Sequence, residues 1–299
     1  MAAFVVPVNL ADGVRSEPSA ERREWLRTLP EIVREVAARW SLHLDHPYQP
    51  GGRCAWVAPA RNPAGQDLVL KVAWRHDEST HEAHGLRVLA GQGAVRLYDS
   101  ATVDASDVLL LERCHPGTTL GDSVSEPEQD VVVAGLLRRL WLPPAADWPF
   151  RPLQTMCHAW ADEFEAGLAT AAAPRDRGLA RAGIALFREL PATAERQVLL
   201  CTDLHAGNVL AAHREPWLVI DPKPYLGDPT YDALQHMLNC QERLTTDPVR
   251  LANRMADLLD LDPGRLLAWL FARCVQESID APALAEIATR IAPHTGLST

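Results

Sequence analysis

The feature that most constrains this chain is the stretch from Val198 to Asp232, in which short apolar runs alternate with acidic or amide side chains. Val198-Leu199-Leu200 leads to Asp203, Asn208 precedes Val209-Leu210, and Trp217-Leu218-Val219-Ile220 ends on Asp221. Runs this short, broken by Gly207 and Pro216, predict buried strands joined by a loop and a hairpin, with the polar groups collected at strand ends. The flanking sequence has a different period. Asp130 to Trp141, Leu153 to Ala169 and Asp176 to Leu190 repeat apolar residues at spacings of three and four, the signature of helices with one buried face. After the stretch, Asp228-Pro229, Asp247-Pro248 and Asp262-Pro263 each predict a helix start, with Asp as N-cap and Pro in the first helical position.

The N-terminal part reads as helix and then strands. Between Glu17 and Trp40 the residues Trp25, Leu26, Leu29, Ile32, Val33, Val36 and Trp40 form one apolar face, with Pro30 as a break, so one or two packing helices are expected. Strands are expected over Leu42–Tyr48 and Arg53–Pro59, and Gly51-Gly52 between them either closes a hairpin or covers phosphates with its amides. Asp67 to Trp74 is a third strand with Lys71 among apolar neighbours. Ser79 to Glu82 opens a helix, in which Glu82 either completes a capping box with Ser79 or turns inward to pair with Lys71. Val95–Ser100 and Val108–Arg113 are further strands, and the turn that follows leaves backbone groups of Glu112 and Cys114 able to bond an adenine edge. The expected class is therefore α+β: a small β-rich lobe with leading helices over residues 1–113, and a larger, mainly helical lobe over residues 114–299.

Carboxylates and an amide at neighbouring strand ends suit phosphoryl transfer, which needs charge placed more than covalent chemistry done. One carboxylate accepts a proton from the attacking hydroxyl, while an Asn and a second Asp hold a divalent cation. The alternative is that these residues only close turns. Lysine usage sharpens the choice. Of 29 Lys and Arg residues, only Lys71 and Lys223 are lysines, so lysine is kept at two places where a compact point charge differs from a planar guanidinium. A formal charge of -10 argues against nucleic acid as a partner, since that requires a basic face. The six scattered cysteines form no C-x-x-C pair and read as reduced core residues, and no apolar run is long enough to span a membrane. A cytoplasmic protein acting on a small molecule is expected. His76, His81 and His84 lack the H-E-x-x-H spacing of a zinc site.

With Lys71, Glu82, Asp203, Asn208 and Asp221 in that order, the chain resembles the aminoglycoside phosphotransferase family of the protein-kinase-like fold. Trp217 to Pro224, followed by Gly227-Asp228-Pro229 and Tyr231-Asp232, is most similar to its streptomycin 6-kinase and hydroxyurea phosphotransferase branch. The resemblance implies a bilobal fold, ATP, Mg2+ and a small-molecule hydroxyl acceptor, in a monomer or weak dimer. By position it implies Asp203 as catalytic base, Asn208 and Asp221 as metal ligands, and Lys71 with Glu82 as the phosphate-anchoring pair. Gly51, Gly52, Glu112, Cys114 and Lys223 would serve the nucleotide, and Asp228 would support the catalytic loop. Asp232, Glu242, Glu277 and Asp280 are candidate anions for the acceptor, with Trp148, Trp160 and Trp269 as candidate flat walls. One departure stands out: the family's His-Gly-Asp is Cys201-Thr202-Asp203 here, which puts loop rigidity in question and leaves a non-catalytic nucleotide-binding module as the competing reading.

Overall fold

Strand alternation organises the first part of the chain. In the computed structural model, which describes residues 4–16, 19–170 and 176–296, helices α1 (Val8–Ser16) and α2 (Ala20–Arg39) precede a sheet. Its strands are β1 (His43–Leu44), β2 (Ala55–Arg61), β3 (Asp67–Trp74), β4 (Leu97–Val103) and β5 (Ser106–Glu112), in the antiparallel order β1-β2-β3-β5-β4. Because successive side chains point to opposite faces, Leu68, Leu70 and Val72 of β3 share one face with Trp56, Ala58, Ala60, Val108 and Leu110. That face packs in one core with Trp25, Leu29, Ile32, Val33 and Val36 of α2. Lys71 falls on the other face. Helix α3 (Glu82–Leu89) follows a single 3-10 turn at Asp77–Ser79.

Two expectations change here. Helix α2 runs unbroken through Pro30, because the apolar face it buries on the sheet outweighs the ~3 kcal/mol a helix-interior proline costs. Its expected start at Glu17 lies outside the described residues, and the observed N-cap is Ser19, which accepts the amide of Arg22 at 2.9 Å. The strand expected over Leu42–Tyr48 shrinks to two residues, and Asn9 binds the turn beyond it: its amide donates to the Pro50 carbonyl at 3.0 Å and its side-chain amide to the Gly51 carbonyl at 2.8 Å. Gly51 is needed for its backbone, with φ of 75° and a Cβ that would meet Pro7 at 2.6 Å.

The chain forms two units, Met1–Gly117 with Ala212–Leu218, and Thr118–Ala211 with Val219–Thr299. After the short elements β6 (Pro116–Thr119) and α4 (Leu120–Ser123), the second is mainly helical. Its helices include α5 (Glu126–Leu140), α6 (Leu153–Thr170), α7 (Arg177–Glu189), α8 (Leu234–Asn239), α9 (Gln241–Thr246), α10 (Pro248–Leu259), α11 (Pro263–Glu277) and α12 (Ala283–Ile291). Helix α11 is buried on all sides from Leu266 to Val275, so the other helices are arranged about it. Helix α7 approaches it where Gly183 meets Val275, too closely for any side chain. Between α7 and α8 lie the strands β7 (Val198–Leu200), β8 (Val209–Ala212), β9 (Trp217–Val219) and β10 (Tyr225–Gly227). The Asp-Pro caps form as expected: Asp247 accepts the amide of Arg250 at 3.0 Å, and Asp262 that of Arg265 at 2.6 Å. Among the described residues, no helix is long and apolar enough to cross a membrane.

Candidate active site

In the first unit Lys71 and Glu82 meet. The Lys71 ammonium donates to both oxygens of Glu82, at 2.7 and 2.8 Å, with the two side chains only 9% and 4% exposed. The capping alternative falls to a local rearrangement: Ser79 closes the preceding 3-10 turn instead, its hydroxyl accepting the His76 amide at 3.1 Å. Glu82, at the start of α3, is thereby left to face the sheet. A buried ion pair of this kind is weak evidence for stability, because desolvation consumes most of the Coulombic gain. Its value lies in holding an ammonium in one place.

In the second unit β7 and β10 pair antiparallel, with Leu200 opposite Tyr225, and so hold both ends of the segment 201–224. Asp203, Asn208 and Asp221 lie within it, all half-buried. The Asn208 side-chain amide donates to the Asp203 carbonyl at 3.0 Å and reaches its carboxylate at 3.4 Å. Asn208 and Asp221 flank β8 and β9, and the Ile220 amide donates to the Asn208 carbonyl at 2.9 Å. Asp221 has a left-handed backbone, φ 53°, and its carboxylate accepts from the Lys223 ammonium at 2.7 Å. Both lysines of the chain are therefore paired with candidate site carboxylates.

Within the segment 201–224, Thr202 also has a left-handed backbone, with φ of 45° and the Asp203 amide closing a tight turn onto the Cys201 carbonyl at 2.6 Å. A β-branched residue in this region costs about 1–3 kcal/mol and persists only where its surroundings impose it. Here they do. Fully buried Asp232 accepts the amides of Cys201 and Thr202 at 2.6–3.0 Å and the indole of Trp141 at 3.0 Å. The Thr202 hydroxyl donates to the Lys223 carbonyl at 2.8 Å, and the Lys223 amide donates to the Cys201 carbonyl at 2.9 Å. Burial pushes the Asp232 carboxyl up to about 6, against the pull of those amides and the indole. His205 caps the turn before Asn208, its Nδ1 accepting the Gly207 amide at 3.1 Å, and burial lowers its pKa.

Residues 39–282 match the model of the aminoglycoside/hydroxyurea antibiotic resistance kinase family. The chain is a member of that family. It is 35% identical over 280 residues to a streptomycin 6-kinase of Streptomyces griseus, covering 92% of this chain and 90% of that protein. It is 33% identical over 282 residues to a hydroxyurea phosphotransferase of Kitasatospora aureofaciens, covering 93% and 80%. Choline kinase LicA from Streptococcus pneumoniae shares the fold at 13% identity, with a TM-score of 0.59 over 89% of this chain and 98% of that one. The expected α+β, bilobal protein-kinase-like class and the expected small-molecule phosphotransferase are thereby borne out.

Against that family background several expected residues do other work. Asp232 is not an anion for an acceptor: it is sealed beneath the 201–202 backbone with its oxygens engaged. Trp269 is no flat wall either, being fully buried and donating to Asp228 at 2.7 Å. Glu277 is paired with Arg273 at 2.5 Å, Asp280 stands exposed beyond α11, and Glu242 lines a cavity of about 360 Å³ with Arg243, Arg250 and Arg254. Trp160 lies under the Arg273 guanidinium and Trp148 against Phe150. Asp228 binds the Thr230 amide at 2.9 Å and Arg265 Nε of α11 at 2.6 Å, which fixes the turn that carries Asp232. Gly52 has open space around its α-carbon.

In the first unit the Glu112 amide is taken by the Arg96 carbonyl at 2.9 Å, and the Glu112 carboxylate by Arg214, bidentate at 2.8 and 2.9 Å. Burial opposes ionisation of Glu112, but Arg214 and the Arg96 amide hold its carboxyl below the usual range. Cys114 is buried, its thiol pushed up to about 11, so it is not a nucleophile. Sequence reasoning missed Arg214, which carries no signal in a chain rich in arginine. It also missed Asp130, which is completely buried and binds His236, Arg243 and Arg254 at 2.7–3.0 Å. Asp130, His236 and Cys240 are close enough to hold a metal, but two guanidiniums already neutralise that carboxylate.

Proposed function

We propose that this protein is an ATP-dependent kinase that transfers the γ-phosphoryl group to a hydroxyl of a small antibiotic-like acceptor, an aminoglycoside such as streptomycin, or hydroxyurea. The observation that carries this reading is the gathering of Asp203, Asn208 and Asp221 on one restrained segment. Asp203 accepts the proton of the acceptor hydroxyl, and the Asn208 amide at its carbonyl and carboxylate keeps it oriented. Lys71, fixed by Glu82, presents a point charge to the nucleotide phosphates. Lys223 sits beside Asp221 and balances its charge. The Gly51-Gly52 turn and the backbone of Glu112 and Cys114 complete the nucleotide contacts in this reading, with the Glu112 amide excluded because Arg96 holds it.

Mg2+ fits the donor set: Asn208 turns its amide nitrogen to Asp203, which leaves its carbonyl oxygen, and Asp221 offers a carboxylate, both hard oxygen ligands. When bound it supplies neutralisation of phosphate charge, and chelation of divalent metal is expected to abolish turnover. The completeness of these parts weighs against a non-catalytic module, and the short loop from Asp221 to Asp228 against a protein-substrate kinase. A net charge of -10 is compatible with a cationic or a neutral small acceptor and does not choose between an aminoglycoside and hydroxyurea. The reading places the activity in the cytoplasm, where six cysteines that form no disulfide remain reduced, in a monomer or weak dimer that sedimentation would reveal.

The test is ADP release with Mg-ATP across streptomycin, other aminoglycosides, cyclic-peptide antibiotics and hydroxyurea, with mass spectrometry of the products. One acceptor gaining a single phosphoryl group is the expected result. Silence across the panel by a protein that binds ATP would contradict the acceptor class.

A further inference from the structure

Resting on the kinase reading, we infer that the Thr202 hydroxyl is a positioning group which fastens the Asp203 loop to the segment after Asp221, a task that a glycine at this position could not perform. Two of the bonds between these segments bear on this role. One runs from the Lys223 amide to the Cys201 carbonyl at 2.9 Å and is available to any sequence, since it is backbone to backbone. The other, from Thr202 Oγ1 to the Lys223 carbonyl at 2.8 Å, exists only because residue 202 has a hydroxyl. The two bonds are oppositely directed between the same short stretches, so together they resist both sliding and twisting of one against the other.

The backbone argues that the side chain is there for this bond. At φ 45° glycine is the unstrained choice, and threonine is among the poorest residues for the left-handed region. Strain at a site persists where surrounding contacts over-determine it, and here Asp232 grips the Thr202 amide at 2.6 Å while the hydroxyl grips Lys223. The restraints form a continuous chain from Asp232 through Thr202 to Lys223, whose ammonium holds Asp221 at 2.7 Å. Asp203 and Asp221 are thus each one or two residues from the same clamp. Cys201 contributes to the clamp through its backbone, its buried thiol being held protonated by burial and then by Asp232. The rigidity that the absent His put in question is supplied by the next residue.

Four variants separate this role from folding. Thr202→Ser keeps the hydroxyl, Thr202→Val keeps the shape without it, Thr202→Ala removes both hydroxyl and branch, and Thr202→Gly also relieves the strain. Turnover with Mg-ATP and the acceptor that the panel above identifies should stay near wild type for the Ser variant. In the Gly, Ala and Val variants kcat should fall by about 10- to 100-fold, as expected for a misplaced reacting group, with KM for both substrates little changed. Hydrogen exchange across residues 201–209 should quicken in the Gly and Val variants and not in the Ser variant. Wild-type kcat in a folded Gly or Ala variant, or failure of Ser to preserve it, would overturn the proposal. A wild-type protein inactive on every acceptor would defeat the kinase reading instead, and exchange would then decide the clamp alone, with equal rates in Gly, Val and wild type overturning it.

Discussion

At the scale of single residues, burial decides what each substitution does. Glu82 is 4% exposed, so Glu82→Ala strands the Lys71 ammonium in an apolar strand and is expected to cost about 3–5 kcal/mol. Replacing both partners, Lys71→Met with Glu82→Leu, removes the charge together with its need for a partner. Denaturant unfolding should show the double variant recovering most of that loss, while turnover stays abolished; recovery of both would mean the pair serves only the fold. Asp232 gives a pH test. Its carboxyl titrates near 6 in the folded protein against a reference of 3.8, so between pH ~4 and ~6 the unfolded chain loses a proton that the folded one keeps. Stability from this group therefore falls as pH rises through that window, by on the order of 3 kcal/mol, and levels off above it. Relative to Asp232→Asn, wild-type stability should decline across the window, and parallel curves would contradict the assignment. Lys71, Glu82, Asp203, Asn208 and Asp221 were legible because spacing and strand context single them out. Asp232 was misread because nothing in sequence distinguishes a carboxylate sealed under a loop from one facing a ligand, and Thr202 stood out only as a departure from the family's glycine, since its type gives no hint of a positive φ or of the bond its hydroxyl makes.

At the scale of elements, strand and helix are legible wherever the period is unbroken. Strand β3 was expected and found over Asp67–Trp74, since a short, nearly continuous apolar run around Lys71 is mostly buried along its length. Helix α2 was misjudged at Pro30 because a local penalty was weighed without the sheet that the helix covers. The strand at Leu42–Tyr48 was overestimated because only His43 and Leu44 stay in regular register with β2, while beyond them Asp45 and Tyr48 keep single amide bonds to the Pro59 and Val57 carbonyls without continuing the ladder. Packing between helices was invisible to periodicity altogether. Gly183 of α7 would place a Cβ at 2.5–2.7 Å from three atoms of Val275 on α11. Gly183→Ala should therefore lower stability by about 1–3 kcal/mol through overpacking, despite the up to ~1 kcal/mol that alanine gains in a helix. Adding Val275→Ala should recover part of the loss, and strict additivity in thermal unfolding would mean the contact is not the cause. Asp262→Ala, which removes the cap of α11, should cost about 1 kcal/mol without altering KM.

At the scale of the molecule, the residues proposed for nucleotide binding and phosphoryl transfer fall in two structural units, Lys71 and Glu82 in one and Asp203, Asn208 and Asp221 in the other. Each unit carries its own restraints: a buried ion pair in the first, and the Asp232–Thr202–Lys223 ties in the second. Nucleotide binding and phosphoryl transfer should then be separable. The measurement that tests this most directly compares wild type with Asp203→Ala for ATP affinity by calorimetry and for phosphorylated product by mass spectrometry. The account predicts similar ATP affinity in both proteins and a loss of product formation of at least about 10²-fold in the variant, the scale of a missing general base. Turnover near the wild-type rate in Asp203→Ala, with ATP still bound, would contradict it.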